Sequence, residues 1–547
     1  LTDYAQRYMG KETPAEVIEA MATTLIYPMQ LPFNYPLDQI NVLLDKEEAP
    51  YGNILAAWKQ PQALTAARAL QLSPEQQNIV ITQVNTAAGI APYYNVTDID
   101  TLKNANTFML KTWTDFAGMM QLFDQDLSEA EKAAGLQKHF FINTGLNGQW
   151  VKVEQPVENG PYILTNLDVA PLDQINRIKR LADTISHTVA DTDWALRCIL
   201  KGESPTLDDT TLTGLHDLLQ IAHLLDTDLS TASVLLGPIK TYGKIAGGSA
   251  SAFDTLFNPS GVVFSRTPYR PSGNPLNTLY QSNPLDWTPD DPGENNTASI
   301  NRVLPGLGMS LSDAKLLGSY LYGSSTVSLT VQVLSELYRH ALLSRSLRLG
   351  MDAYILYWKI IGPTDPRSPG AEEIIRLIKT ARWMENTGLN VYHLDYIIQG
   401  ALSVYVNPRY QPERVDEWLR GLWVNVKPDT PETGNDITAQ IAILFGADLP
   451  RMTTLREMAV SAVPLPPGTT TWEEAFLTPD ADGTTPKYGA YVQDVLKWIS
   501  RWITLSDGLA LPATNVASMA AYPAAYGLPS SFDSVSPARP AIRILIP

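Results

Sequence analysis

Apolar residues recur along most of this chain at the spacing of amphipathic helices, most completely in residues 329–362, LTVQVLSELYRHALLSRSLRLGMDAYILYWKIIG. There Val333, Leu334, Leu337 and Ala341 fall on one stripe of a 3.6-residue period, which predicts a helix with one buried face. A polar turn near Gly350 ends it. A second apolar run from Ile355 to Ile361 predicts a second helix, stopped at Gly362 and Pro363 because proline cannot extend a helix and glycine suits its C-terminal cap. The stretch is one helix-turn-helix unit, and the pattern recurs on both sides of it. Residues 371–400 repeat it, with Ile374, Leu377, Ile378, Ala381 and Met384 on one stripe.

Towards the N-terminus, residues 13–26 read as a helix with Pro14 and Glu16 in its first turn. The prolines at 28, 32 and 36 predict an extended lead-in to a short helix from Leu37, and 51–58 and 61–80 predict further helices. Leu72-Ser73-Pro74 is a compact start signal: an apolar staple, a capping hydroxyl and a proline at the first helical position. Similar signals, each with another apolar residue five or six positions on, occur at Leu127, Val189, Leu229, Leu311, Leu349, Leu389, Leu449 and Leu511. From 189 through 229, 311, 349 and 389 the spacing is about 40 residues with one interval doubled, and the wider later spacings imply insertions. A pair of helices cannot bury its stripe alone, so the repeat predicts a mainly α fold of irregular stacked helix-turn-helix units forming a helical shell.

Two segments interrupt the repeat. Asn147-Gly148 lies between 140–143 and 149–154, which predicts a small β-hairpin insertion, with 162–167 as a third strand. Residues 237–300 are crowded with Gly, Pro, Ser and Asn and are far longer than an ordinary connection. The resulting segmentation is an N-terminal helical part at 1–137, the hairpin insertion at 138–168, helical repeats at 169–236, a loop-rich excursion at 237–300, helical repeats at 301–463, and a loop-rich C-terminal part with one helix at 464–547. From Tyr522 onward no helical period is visible, which predicts an extended end.

Composition narrows the class. With 44% hydrophobic and 18% charged residues among 547, the chain has the balance of a folded globular protein. Its net charge of -17, from 40 basic and 57 acidic residues, argues against nucleic acid as a partner. The many carboxylates also offer groups that respond to pH. Cys198 is the single cysteine, so neither an internal disulfide nor a cysteine zinc site can form. No apolar run reaches the roughly 18 to 20 residues of a membrane-spanning helix, and the first twelve residues are too polar for a signal peptide. The chain therefore reads as soluble, and its start at Leu1 predicts a piece of something longer.

Chemical motifs are sparse. There is no HExxH, no GxSxG and no GxxxxGK[ST]. His216 and His223 share a helix face at seven residues' separation, about 10 Å along the axis, too far for one metal without further ligands. Asp480-Ala481-Asp482-Gly483 begins like a calcium loop but lacks the later ligands, and an Asp-Gly turn is the reading adopted. The adjacent acids Glu372-Glu373, Glu473-Glu474 and Asp290-Asp291 suit helix starts and loops. The glycine-rich 241–251 reads as a turn, Cys198 as a buried small residue, and the tryptophans of LKWISRWITL as core. No catalytic, cofactor-binding or metal-binding residue is predicted, and no binding residue can be singled out.

Six stretches in order carry a resemblance: LPFNYPLDQINVLL (31–44), AARALQLSPEQQNIV (66–80), DIDTLKNANTFMLKTW (98–113), LDQINRIKRLADTISHTVADTDWAL (172–196), LLGPIKTYG with LFNPS (235–243 and 256–260), and LSELYRHALLSRSLRLGMDAYI (334–355). Together they resemble the A subunits (TcA type) of the bacterial insecticidal toxin complexes, the Tc toxins, over most of residues 15–400. Two places depart from the family's pattern: Leu236-Gly237-Pro238 stands where Trp-Gly-Asp is usual, and Ile185-Ser186-His187 where a Leu-Gly-Trp turn is usual. The resemblance implies the α-helical outer shell of a bell-shaped pentamer around a translocation channel, with receptor-binding insertions and pH-dependent opening. It further implies TcB/TcC-type partner subunits docking through regions outside this chain, a host-cell surface receptor or glycan, the host membrane entered by a channel outside this chain, and a secreted or surface-associated toxin acting on host cells. It implies no enzyme activity. The alternative from another class is an independent helical-repeat scaffold that binds a protein partner through 237–300.

Overall fold

A computed structural model of the chain describes residues 16, 19–21, 25–46, 50–201, 205–244, 250–259, 268–287, 294–324, 326–363, 365–406, 410–426, 430, 432–483 and 485–521. They are mainly helical, with two small two-stranded antiparallel sheets among them. The expected helix at 13–26 lies largely outside the described residues, and the expected extended end from 522 lies wholly outside them. No helix among the described residues is long and apolar enough to cross a membrane.

The chain divides into two units, Leu1–Arg348 with Asp365–Ile375, and Leu349–Thr364 with Arg376–Pro547. In the first, the helix Val169–Thr184 is the centre, with Leu172, Ile175, Ile178 and Leu181 fully buried at helical spacing. It packs on Pro74–Ile81, on the short turn Phe141–Asn143 and on Val189–Ile199, while Asp209–Leu225 packs on Gln62–Ala69. In the second unit, Met351–Ile361 packs on Val391–Gln399, which in turn packs on Gly489–Gly508. Leu449–Ala462 packs on Thr433–Phe445 and Ala513–Ala521. Equivalent helices of successive units thus lie against each other, Val189–Ile199 on Leu229–Ser233 and Met351–Ile361 on Val391–Gln399.

The repeat has a local cause. Helices end on one residue in the left-handed region, followed by a residue that is apolar in six of the eight cases below (His187 and Thr227 are the exceptions) and then the cap of the next helix. Gln71, Ser186, Asp226, Gly308, Arg348, Gly388, Gly446 and Ala510 all have positive φ. The following residue donates its N–H back to the carbonyl five positions earlier, as in Leu72 to Ala67 at 2.9 Å, His187 to Ala182 at 3.0 Å, Thr227 to Ala222 at 3.0 Å and Leu511 to Ser506 at 2.8 Å. This is the Schellman closure of a helix C-terminus. The next residue opens a new helix, and Ser73, Thr188, Asp228, Ser310, Asn390 and Asp448 each accept a backbone N–H from the first turn. A helix can therefore reverse in three residues.

Buried arginines close many of the helix ends that remain. Carbonyls at a helix C-terminus have no partner within the helix and carry partial negative charge, so a guanidinium fork suits them. Arg177 donates to Val80, Ile81 and Leu207; Arg339 to Val234, Gly237 and Arg367; Arg501 to Ile397 and Ile398; Arg68 to Leu72. Arg180 gathers the carbonyls of Ile26, Met29 and Leu31.

The β insertion is present, formed by the expected second arm and the expected third strand, while the expected first arm is not a strand. Asn147 and Gly148 both have positive φ and Gln149 N–H closes onto Leu146 O at 2.9 Å, so the tight turn forms. Its expected first arm is helical instead, as the 3-10 turn Phe141–Asn143. Phe140, Phe141 and Ile142 are buried in succession, which a two-residue strand alternation does not allow, and the Asp193 carboxylate accepts the Phe141 N–H at 2.6 Å. The pairing is Lys152–Glu154 with Ile163–Thr165.

The excursion at 237–300 is more ordered than its composition suggests. It contains the helix Ala252–Phe257 and the strand Leu285–Trp287, which pairs with Val327–Leu329. Tyr269, Asn277, Tyr280 and Trp287 are buried anchors, with Tyr269 Oη donating to Leu329 O at 3.0 Å and Asn277 Nδ2 to Thr241 O at 3.0 Å.

Candidate functional site

The residues weighed for chemistry in the sequence do not converge. His216 and His223 sit on Asp209–Leu225, and among the described residues no group of three or more His, Cys, Asp or Glu is arranged to hold a metal ion. Asp480 accepts the Thr485 N–H at 3.3 Å and hydroxyl at 2.5 Å, an ordinary closed turn. Glu373 and Glu474 accept N–H groups at the starts of their helices, and Asp290-Asp291 lies outside the described residues. Trp498 and Trp502 are buried with ring centroids 5.6 Å apart. Cys198 is fully buried, and burial pushes its thiol up to about 12.

What the fold does assemble, within the first unit, is a cavity of about 400 Å³ with a basic lining. Its walls come from the turn Leu136–His139, the helices Val189–Ile199 and Val331–Ser346, the chain at 236–238, the excursion at 273–276 and the segment 367–368. Lys138, Arg197, Lys201, Arg339 and Arg367 line it together with His139, and among the described residues no carboxylate does. Lys201 Nζ donates to Ser368 Oγ at 2.8 Å, tying two walls together.

Behind the cavity is a buried polar cluster. Asp193 is 0% exposed; one carboxylate oxygen takes the Phe141 N–H and the other, Oδ2, has no hydrogen-bond partner. Burial raises its carboxyl above the usual range, while Arg197 and Lys240 pull it down. Arg197, one turn further along the same helix, is 3% exposed; its Nε and Nη2 reach no carbonyl or carboxylate among the described residues, and the Tyr242 hydroxyl lies beside it. The Tyr242 ring meets Trp194 edge-on at 5.6 Å and stacks beside His139 at 6.5 Å. Burial, Arg197 and Lys138 hold His139 down to about 4.

The stretches that carry the resemblance meet here: Asp193 and Trp194 end 172–196, Lys240 and Tyr242 belong to 235–243, and Arg339 belongs to 334–355. Cys198, weighed alone in the sequence, has its role here too. A Cβ on Gly237 would lie 2.5 Å from Cys198 Sγ and 2.9 Å from its Cα, so only glycine lets the chain pass that helix. Arg197 escaped the sequence reading. Nothing local distinguishes it from the arginines that clamp helix ends, because the difference is the absence of a carbonyl in reach, and that is set by the fold.

No protein-family profile matches this chain, and no curated protein matches its sequence. Among solved structures, Morganella morganii TcdA4, determined by cryo-electron microscopy, aligns with 95% of this chain at a TM-score of 0.61 and 14% identity. Yersinia pseudotuberculosis TcaA-TcaB covers 87% of the chain at a TM-score of 0.45 and 14% identity, too loose a fit to bear on the fold. The chain spans 27% of the length of TcdA4. In fold, then, it is similar to a region of a TcA-type Tc-toxin subunit, as its six ordered stretches imply.

Proposed function

We propose that this chain is a portion of the outer α-helical shell of a Tc-toxin A-type subunit, a structural and protective part without catalytic residues or cofactor. The observation that carries this reading is the fold likeness to TcdA4 over 95% of the chain. In this reading copies of the parent protein assemble as a pentamer around a translocation channel formed by regions outside the chain. TcB/TcC-type subunits dock through other regions, the assembly is secreted or held at the bacterial surface, and the shell supports attachment to a host-cell receptor or glycan. The scaffold alternative relied on 237–300 as a docking arm, and the anchors at Tyr269, Asn277, Tyr280 and Trp287 disfavour that use.

Acid-triggered opening has named candidates in this chain. His340 is fully buried on Val331–Ser346 with Nε2 3.0 Å from Pro366 O, and burial with the neighbouring Arg339 holds it down to about 3. The folded value lies below the unfolded one for His340, and likewise for His139. Their neutral forms therefore support the fold at neutral pH, and that support is lost as pH falls from about 6.5 towards 4 for His139 and towards 3 for His340. Asp217 has the opposite sign: burial and Glu372 push it up to about 6, so its contribution improves as pH falls through 6. Burial also lowers His216 and His393 and raises Asp173, Asp193 and Asp395, so the acid response is the balance of two opposed sets, with His340 the most deeply buried member of the histidine set. Light scattering on the parent protein tests the assembly, with a mass of five copies expected at neutral pH; a monomer at micromolar concentration would sink the reading.

A further inference from the structure

We propose that the basic cavity of the first unit binds a small phosphate-type oxyanion, free or carried as an ester on a small organic molecule, with Arg197 as its buried anchor. Three observations carry this. The first is charge: Lys138, Arg197, Lys201, Arg339 and Arg367 converge on one cavity with no carboxylate among its described lining residues, in a chain whose net charge is -17. Arg367 has an acid beside it, Asp365 at 3.6 Å, and the buried Asp193 lies behind Arg197. An acidic chain has little reason to concentrate cations around an enclosed space unless something anionic offsets their mutual repulsion.

The second is the state of Arg197. Of the buried arginines, Arg68, Arg177, Arg180, Arg339 and Arg501 all donate to backbone carbonyls, whereas Arg197, at 3% exposure, reaches no carbonyl or carboxylate among the described residues with Nε or Nη2 and has the neutral Tyr242 hydroxyl beside it. An unsatisfied buried guanidinium is costly, and its planar fork matches an oxyanion through two parallel N–H···O bonds. Asp193, one turn away, offers partial charge compensation only, since its free oxygen has no hydrogen bond to Arg197 and Lys240 also faces it.

The third is form. About 400 Å³ admits a small ligand, and the cations differ in depth, with Arg197 and Arg339 buried and Lys138, Lys201 and Arg367 exposed at the rim. Buried arginines give the bidentate grip and rim lysines give capture, the usual division of labour in oxyanion recognition. The same chain carries no sign of nucleic-acid binding, so the ligand is a small molecule rather than a polyanion.

The test uses the 547-residue chain with inorganic phosphate, pyrophosphate and glucose 6-phosphate as probes, each against chloride at equal ionic strength, by titration calorimetry and thermal melting. Binding with a Kd below about 1 mM and a raised Tm is expected for at least one probe. Tighter binding of the inorganic probes assigns a free anion, and tighter binding of the sugar phosphate assigns an ester. Lys201→Ala and Arg367→Ala, at the rim, are expected to keep the unliganded Tm and weaken binding about 10-fold each, and Arg197→Met to weaken it about 100-fold or more. If Arg197→Met does not fold, the two rim variants decide. No binding beyond chloride with any probe, or equal binding by wild type and both rim variants, overturns the proposal. Either result is independent of the assembly state and leaves the shell reading untouched.

Discussion

Gly237 shows what single positions do in this chain. Its missing side chain lets the segment at 236–238 cross Cys198, and an added methyl would meet backbone as well as sulfur. Gly237→Ala is expected to cost about 1–3 kcal/mol, the range for overpacking a rigid site, and thermal denaturation of the chain measures it. Leu337 is fully buried, as are Leu334 and Ala341 of the predicted stripe, while Val333 is half-buried and the helix also buries Ser335, Arg339 and His340 on other sides. Leu337→Asp buries an unpaired carboxylate, so a protein lacking native circular dichroism is expected; a folded variant with wild-type Tm would contradict that placement. His340 is where pH acts most simply. His340→Gln keeps a donor for Pro366 O but removes the group that must charge, so its acid unfolding midpoint should fall to lower pH than wild type, read by fluorescence across pH 7 to 3. An unchanged midpoint would remove His340 from the acid response.

Element by element, the sequence is legible where the determinant is local. Helix starts at Ser73, Thr188, Asp228, Ser310, Asn390 and Asp448 are written in the capping residue itself, and the eight recurring start signals all fall at helix beginnings. The turn before each start is harder to read. Its left-handed residue is glycine at 308, 388 and 446 but Gln71, Ser186, Asp226, Arg348 and Ala510 elsewhere, so composition hides a geometric repeat whose members at 308, 348 and 388 are evenly spaced. Ser186 also stands where the resembling family usually has glycine, and its φ of 58° supplies the reason for that glycine. Ser186→Gly is therefore expected to raise stability, by up to about 1 kcal/mol, in thermal or urea denaturation. The hairpin's first arm fails for the complementary reason: the turn at Asn147-Gly148 is local and correct, and the strands at 149–154 and 162–167 form in part, but the fate of Phe140 to Ile142 is decided by Asp193, far along the chain. The arginine clamps and the basic cavity are illegible for the same cause, because each joins residues separated by tens to more than a hundred positions.

At the scale of the whole molecule, the helical class and the stacking of repeats follow from amphipathic periodicity, whereas the likeness to TcdA4 rests on fold at 14% identity. The two agree through particular residues. Asp193, Trp194, Lys240 and Tyr242, separate in the ordered stretches of the sequence, meet in one buried cluster of the first unit. That convergence gives those stretches a common packing role in the first unit. The central claim, a shell segment of a larger assembly, is tested most directly by cryo-electron microscopy of the parent protein at neutral pH. The account predicts a five-fold particle in which the helices of residues 169–236 and 301–463 build the outer wall around a central channel. A monomeric particle, or an assembly in which these helices enclose no channel, would contradict it.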